Sequence, residues 1–395
     1  VITLTEFVPV RLPRTAFDET TAKILWQRFR SQVAVEFPSF MTNGEWQLTA
    51  QGWAGLLPLS PRVVLALQPK TPIANLFQMI AYAYDLADFQ RSDLVVGVES
   101  TPVLFERLAH VLAQRILARG RRGLYQGYLS QTEQLPFVRG RIDQAAYAQR
   151  PPQSQLPCRY EESAVDIEDN QLLLYTIYSI LRSGLSSEQT VPTVRQAFHL
   201  LQGSVTLHPM TADLCRHRVY HRLNQDYAPL HALCAFFLDH IGPSHLPGQT
   251  PALPFLVDMA RLFERFVAEW LRREVDARWQ VRVQEHYPLG TATNLHFAID
   301  LVVYERASGA VRWVLDTKYK TPERSPSTAD IAQIVAYAHA KGAHEAALIY
   351  PAPLPDPLDV QLGGVRVRSL TFDLRHDLNT TGRTFLQELA LQSAR

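Results

Sequence analysis

Cysteine is scarce in this chain: Cys158, Cys215 and Cys234 are the only three in 395 residues, and no two form a CxxC pair. Such spacing suggests neither a disulfide framework nor a zinc site, and it fits a reducing compartment. Long apolar runs are also missing, with none near the roughly 18 residues that would span a bilayer. The start, "VITLTEFVPVRLP", has no basic segment followed by a long apolar core. The expectation is a cytoplasmic chain with no membrane partner. An excess of one charge is absent too, since 39 Lys+Arg stand against 38 Asp+Glu. That balance excludes a polycationic nucleic-acid coat, so any DNA contact must come from a local basic patch. Neither GxxxxGK[ST] nor GxGxxG occurs, which leaves the chain without a phosphate-cradling glycine loop.

The segments that are present divide the chain. Residues 1 to about 70 read as β-rich, with short apolar runs such as "EWQLTA" and "RVVLALQPK" and one helix around Ala22 to Arg30. Helical spacing begins at Ile73 and recurs after Pro102, ending in the basic "ARGRRG". "LYQGYLSQTEQLPFVRGRID" reads as a strand and a loop, "RPPQSQLPCRY" as a proline-rich break, and residues 169 to 240 as mostly helical. A second Pro/Gly-rich stretch, "GPSHLPGQTPALP", precedes the last segment. The expected domains are 1–125 (β-rich plus helical, partner-docking), 126–250 (mainly helical) and 251–395. The last reads as a helix from Pro254 to Arg278, strands near 280–287, 295–304 and 311–318, and a helix over 328–341. Strands near 345–350 and 365–372 and a helix after Asp377 complete it. This αβββαββα order, behind a β-rich and helical half, gives a multi-domain α+β and α/β chain with a central mixed sheet.

Chemistry concentrates in "AIDLVVYERASGAVRWVLDTKYK". The Ser308-Gly309 turn predicts an antiparallel hairpin. Asp300, beginning one strand, and Asp316, ending the other, then share one end of the sheet. Two converging carboxylates make a hard-oxygen site suited to Mg²⁺. Lys318, two residues past Asp316, points to the same face and could orient a water or offset charge on a phosphate. A lone D-x-K is more often turn capping and surface lysine, so the companions decide. Asp300 with Asp316-Thr317-Lys318 resembles the motif of the PD-(D/E)xK nucleases, and that resemblance implies a further acid on the preceding helix, which "LFERFV" offers as Glu264, with Glu269 as the weaker choice. It also implies a Q-x-x-x-Y signature on the following helix, present in "DIAQIVAYA" as Gln333 and Tyr337, one helical turn apart on a shared face. Asp330 reads as a first-turn acid complementing the helix dipole. His286 and His296 read as strand-surface residues, and the basic "ARGRRG" and "FVRGRID" as turns or partner contacts.

With Asp300, Asp316-Thr317-Lys318 and Gln333-x-x-x-Tyr337 in this order, the chain resembles the PD-(D/E)xK nuclease superfamily, in its RecB-like branch. Ile299 stands where that pattern usually has Pro. "VVLALQPKTPIANLFQMIAYAYDL", "LPFVRGRID", "CRYEESAVDIEDNQLLLYTIYSIL", "LFERFV" and "VLDTKYK" further resemble the McrC family, from about residue 55 onward. The resemblance implies an anti-phage restriction endonuclease using Mg²⁺, with Mn²⁺ as substitute. Asp300, Asp316 and Glu264, with the Thr317 carbonyl, would hold the metal. Lys318 would position or deprotonate water, and Gln333 and Tyr337 would position the backbone of double-stranded, modified DNA. It also implies a McrB-like AAA+ GTPase ring as partner, stimulated by the N-terminal half. Two alternatives remain at this point: a RecB-like nuclease coupled to another motor, and a non-catalytic activator of an AAA+ ring.

Overall fold

The computed structural model describes residues 1–16, 18–60, 63–86, 98, 100–148, 155–242, 253–288, 295–320 and 324–391. The chain divides into two compact units, residues 1–107 with 240–395, and residues 108–239. This differs from three consecutive domains, because the N-terminal and C-terminal segments share one unit.

Its elements run in the order β1 (Ile2–Thr5), β2 (Pro9–Leu12), α1 (Glu19–Arg28), β3 (Val33–Glu36), β4 (Trp46–Ala50), β5 (Trp53–Ser60), β6 (Val63–Gln68), α2 (Ile73–Ala83) and α3 (Thr101–Arg121). Next come β7 (Gly127–Leu135), β8 (Arg141–Ile142), α4 (Gln144–Ala148), β9 (Leu156–Ala164), α5 (Glu168–Ser183), α6 (Val191–Gln202), α7 (Ala212–Arg216) and α8 (Ala228–His240). The last stretch holds β10 (Phe255–Asp258), α9 (Met259–Glu274), β11 (Trp279–Pro288), β12 (His296–Glu305), β13 (Val311–Thr317), α10 (Thr328–Lys341), β14 (Glu345–Tyr350), β15 (Asp359–Leu362), β16 (Val365–Thr371) and α11 (Leu378–Glu388).

In the first unit a mixed six-stranded sheet runs β11-β12-β13-β14-β16-β15. The β12–β13 hairpin turns at Gly309, whose φ of 69° is the left-handed conformation the sequence pattern predicts there. β13 and β14 pair in parallel, which demands a crossover, and α10 supplies it. α9 buries Leu262, Phe263, Phe266, Trp270 and Leu271, the apolar stripe legible in its spacing. Each such side chain contributes about 2 kcal/mol of burial.

Three expectations needed correction. Residues 255–258 are strand rather than helix: β10 joins the sheet β1-β6-β5-β10 through Phe255↔Leu56 and Asp258↔Trp53. Gly55 permits that approach, because a Cβ there would sit 2.1 Å from the Phe255 carbonyl oxygen. The proline-rich break ends in a strand, β9, which pairs with β7 along nine positions. The short strand β15 went unread, since "DVQL" lacks a sustained alternation and pairs only with β16 at the sheet edge. The stretch 243–252 of the second Pro/Gly-rich segment lies outside the described residues.

The second unit has its own sheet, β7-β9-β8. Its helices are tied by buried polar groups. Asn170 donates to the Tyr125 and Val165 carbonyls at 2.9 and 2.7 Å and accepts from the Tyr227 hydroxyl at 2.8 Å. His231 is fully buried, with Nε2 3.0 Å from the Asp169 carbonyl and Nδ1 3.0 Å from the Tyr220 hydroxyl. A carbonyl only accepts, so Nε2 carries the proton and Nδ1 accepts from Tyr220. Burial pushes the imidazole down to about 4, against the carbonyl and charge of Asp169, with Arg218 acting the same way as burial and Glu168 opposing it.

The unfolded chain therefore binds more protons than the folded one between the ordinary pKa of 6.5 and about 4, and stability falls as pH drops through that window. His231→Gln keeps a donor and an acceptor but cannot titrate. Its melting temperature is expected to fall less than that of the parent between pH 7 and 4.5. Parallel melting curves for the two proteins across that range would refute this account.

Candidate active site at the end of the β12–β13 hairpin

The β12–β13 ladder places Leu301 opposite Leu315, so Asp300 and Asp316 stand opposite each other one position further. Asp300 is the fifth residue of β12 rather than its first. The strand continues backward along β11, yet the carboxylate still sits where the β12–β13 pairing ends. Thr317 donates to its Oδ2 through both the amide (3.1 Å) and the hydroxyl (3.3 Å). These contacts make Thr317 a clamp on Asp300.

Asp316 is only 3 % exposed, and its Oδ2 lies 2.6 Å from Lys318 Nζ. The same ammonium donates to Gln333 Oε1 at 3.1 Å, and Gln333 Nε2 donates to the Tyr337 hydroxyl at 2.8 Å. Asp316 and Lys318, expected from the sequence, and Gln333 and Tyr337, implied by the resemblance, thus form one continuous chain of contacts. Tyr337 is buried with its ring 5.0 Å from that of Phe297, which fixes the far end.

Glu264 reaches the same region from α9. Burial pushes its carboxyl up to about 7, and the charges of Asp300 and Asp316 add to the rise while Gln284 and Arg261 oppose it. Asp316 is pushed up to about 6 by burial and the Asp300 charge, against the pull of Lys318. Burial also raises Asp300. Burial disfavours the Lys318 ammonium, but Asp316, Asp330 and Asp300 outweigh it and hold the group charged. Glu269 pairs instead with Arg272 at 2.6 Å, which leaves Glu264 as the acid of this helix.

Two residues were under-read. Asp330 is 8 % exposed and does more than complement a helix dipole. It lies 3.6 Å from Lys318 Nζ and 2.6 Å from Lys320 Nζ, and accepts from the Ser327 hydroxyl at 2.7 Å. The Lys318-x-Lys320 spacing together with Ser327-x-x-Asp330 was the available signal. Gln284 donates its side-chain amide to Glu264 and has a φ of 51°, an uncommon, strained value for a non-glycine residue within a strand. No sequence pattern marks that. His286 and His296 pack on each other at 4.7 Å between ring centres, as strand-surface residues would. In the second unit, Arg119 of "ARGRRG" pairs with Asp226 and Arg139 of "FVRGRID" with Glu162.

Three carboxylates, Glu264, Asp300 and Asp316, share one field, and Lys318 is in contact with Asp316. The donor set is all oxygen and net negative, which fits Mg²⁺ or Mn²⁺ held by a few carboxylates plus water and phosphate. Among the described residues no group of three or more His, Cys, Asp or Glu side chains is placed so that together they could hold a metal ion.

The model of a family described as McrBC 5-methylcytosine restriction system component matches residues 48–351. The chain is similar to the type IV methyl-directed restriction enzyme EcoKMcrBC of Escherichia coli (strain K12), 24 % identical over 216 residues. That match covers 53 % of this chain and 61 % of the relative's length. Its fold is similar to a chain in the refined half-complex from the tetradecameric assembly of Thermococcus gammatolerans McrB AAA+ hexamers with bound McrC. The TM-score is 0.57 with 18 % identity, covering 98 % of this chain and 99 % of that one.

The raised Glu264 carboxyl has a direct consequence for the metal-free protein. Its proton stabilises the folded state below the ordinary 4.5, and that contribution is lost as pH rises through about 7. Glu264→Gln removes the buried like charge. The metal-free variant is therefore expected to melt several degrees above the parent at pH 8, with the gap closing near pH 5. A gap that is equal at both pH values would contradict the raised pKa of Glu264.

Proposed function

We propose that this chain, which belongs to the family of McrBC 5-methylcytosine restriction system components, is the DNA-cutting subunit of such a system. In this reading it is a Mg²⁺-dependent endodeoxyribonuclease of the PD-(D/E)xK type. The observation that carries the reading is the Asp316–Lys318 pair opposite Asp300, continued through Gln333 to Tyr337. The sheet order with antiparallel β11-β12-β13 and a helical crossover from β13 to β14 supports the same fold class.

Glu264, Asp300 and Asp316 would hold Mg²⁺, with Thr317 steadying Asp300 from the adjacent strand. When bound, the ion supplies Lewis-acid polarisation of a phosphoryl oxygen and an acidified water. Lys318, kept as an ammonium by Asp316, offsets negative charge as it develops on the phosphate under attack. Gln333 fixes the direction of that ammonium, and Tyr337 fixes Gln333. Asp330 restrains Lys318 and Lys320 from the other side. This positioning costs no reorganisation at the moment of reaction, because the contacts already exist in the folded chain.

The partner in this reading is a McrB-like AAA+ GTPase ring that supplies motion along modified double-stranded DNA. Supporting this are the McrB hexamers named with the similar solved structure and the absence of a nucleotide-binding glycine loop in this sequence. A purely non-catalytic activator would have no need of the contact chain from Asp316 to Tyr337.

Asp316→Ala is expected to lower Mg²⁺-dependent DNA cleavage by at least a hundredfold while leaving stimulation of the motor's nucleotide hydrolysis intact. The two activities are measured on the reconstituted complex with methylated and unmethylated plasmids. Cleavage at the parent rate by this variant would remove Asp316 from the site.

A further inference from the structure

A cavity of about 460 Å³ opens next to the catalytic edge, lined among others by Phe7, Gly52, Trp53, Ala260, Tyr319 and Lys320. Its volume falls in the range of small-ligand pockets, about 300–1,000 Å³. Two elements carry it directly to the site. Tyr319 and Lys320 follow Lys318 in sequence, and Ala260 lies one helical turn before Glu264, on the same face of α9. The cavity exists because Asp258 and Trp53 form the last rung between β10 and β5, and Met259 donates to the Gly52 carbonyl at 3.1 Å.

Three observations point to a ligand there. Two aromatic rings, Phe7 and Trp53, line one small space, and neither is fully buried. Phe7 has a φ of 57°, a conformation non-glycine residues adopt at a cost and often at functional sites. Beneath Gly52 lies Glu6, only 1 % exposed. Its Oε2 accepts from the Lys70 amide at 3.1 Å and the Tyr319 hydroxyl at 3.0 Å. Its Oε1 has no hydrogen-bond partner among the described residues, and a Cβ at Gly52 would lie 3.6 Å from it and 3.8 Å from Phe7 Cζ. A buried acceptor without a partner is what an N–H group of a ligand would satisfy. Cations stand close by: Lys70 Nζ is 5.7 Å from the Phe7 ring centre, and Lys320 is half exposed while paired with Asp330.

We propose that this cavity receives one unpaired nucleobase of the DNA strand being cut, stacked against Phe7 or Trp53, with Lys320 at a neighbouring phosphate. Aromatic walls beside cations suit a base with its phosphate better than a free anion or an apolar molecule. The proposal rests on the reading of the adjacent site as DNA-cleaving. It adds a subsite that holds the strand in register with Lys318.

Fluorescence anisotropy of the full chain tests it, with Ca²⁺ replacing Mg²⁺ and labelled duplexes carrying one abasic nucleotide moved stepwise along a strand. One position is expected at which loss of the base weakens binding about fivefold or more. Ala260→Phe, which fills the cavity from an exposed helix position, should weaken binding of the intact duplex to a similar degree and erase the abasic effect. Ala260→Ser, which leaves the cavity open, should keep it. A flat abasic profile in the parent overturns the proposal, as does full base sensitivity in a folded Ala260→Phe. If Ala260→Phe fails to fold, the parent's abasic profile alone decides. Cleavage in Mg²⁺ is scored separately on the complex reconstituted with the motor from the same preparation of this chain. Intact cleavage with a flat profile removes only the pocket, whereas a base-sensitive profile without cleavage removes only the nuclease reading.

Discussion

Asp316 and Lys318 share a strand face with their charges 2.6 Å apart, and Asp316 is nearly fully buried. Removing a carboxylate from water costs several kcal/mol unless a counter-charge and hydrogen bonds replace the solvent. Lys318 provides that counter-charge, and the rest of the site follows from keeping Lys318 in place. Gln333 accepts from it, Asp330 flanks it, and Tyr337 locks Gln333. Burial raises the carboxyls of both Asp300 and Glu264, and at Glu264 the charges of Asp300 and Asp316 add to the rise. In the function proposed above, a hard cation and a phosphate would meet the acids and the ammonium of this arrangement.

The topology explains why these groups meet where they do. Antiparallel pairing of β12 with β13 brings two acids from one hairpin to the same rung. Parallel pairing of β13 with β14 then forces the chain across the sheet through α10, whose N-terminal half returns over the end of β13. Ligand sites in open α/β sheets lie beyond the carboxyl ends of the strands for this reason. Gln333 and Tyr337 need no loop to reach the site, since a single helical turn separates them and the crossover aims them.

How much of this was legible in the sequence depended on the kind of signal. The hairpin was legible because Ser308-Gly309 separates two β-branched runs. α9 and α10 were legible because their apolar residues recur at helical spacing. Asp300, Asp316 and Lys318 were legible because their geometry is local, set by one hairpin and strand alternation, whereas Gln333 and Tyr337 came from the resemblance to a Q-x-x-x-Y signature, the helical turn between them saying only that they share a face. β10 was not, because "FLVD" is continuous with the helix that follows it and becomes a strand only by pairing with residues about 200 positions earlier. Gln284 and Glu6 were not, because a strained φ and an unpartnered carboxylate oxygen are tertiary facts. The full role of Asp330 was hidden for the same reason, since its two lysine partners lie across a loop.

β10 matters for more than assignment. It fixes the start of α9 in the N-terminal sheet, while the following turns bury Phe263 and Phe266 and carry Glu264 to the catalytic edge. Asp258 caps that helix through the Ala260 and Arg261 amides at 2.9 and 3.2 Å, so strand and helix join without slack. Glu6 makes a second link, from the residue after β1 to the Tyr319 hydroxyl next to Lys318. The N-terminal sheet is thus built into the position of one acid and one side of the Asp316–Lys318 segment. A displacement of β1 or β5 would move Glu264 or Tyr319 relative to Asp300, which is anchored in the other sheet. The N-terminal segment therefore has a covalent and hydrogen-bonded route to the positions of Glu264 and Tyr319.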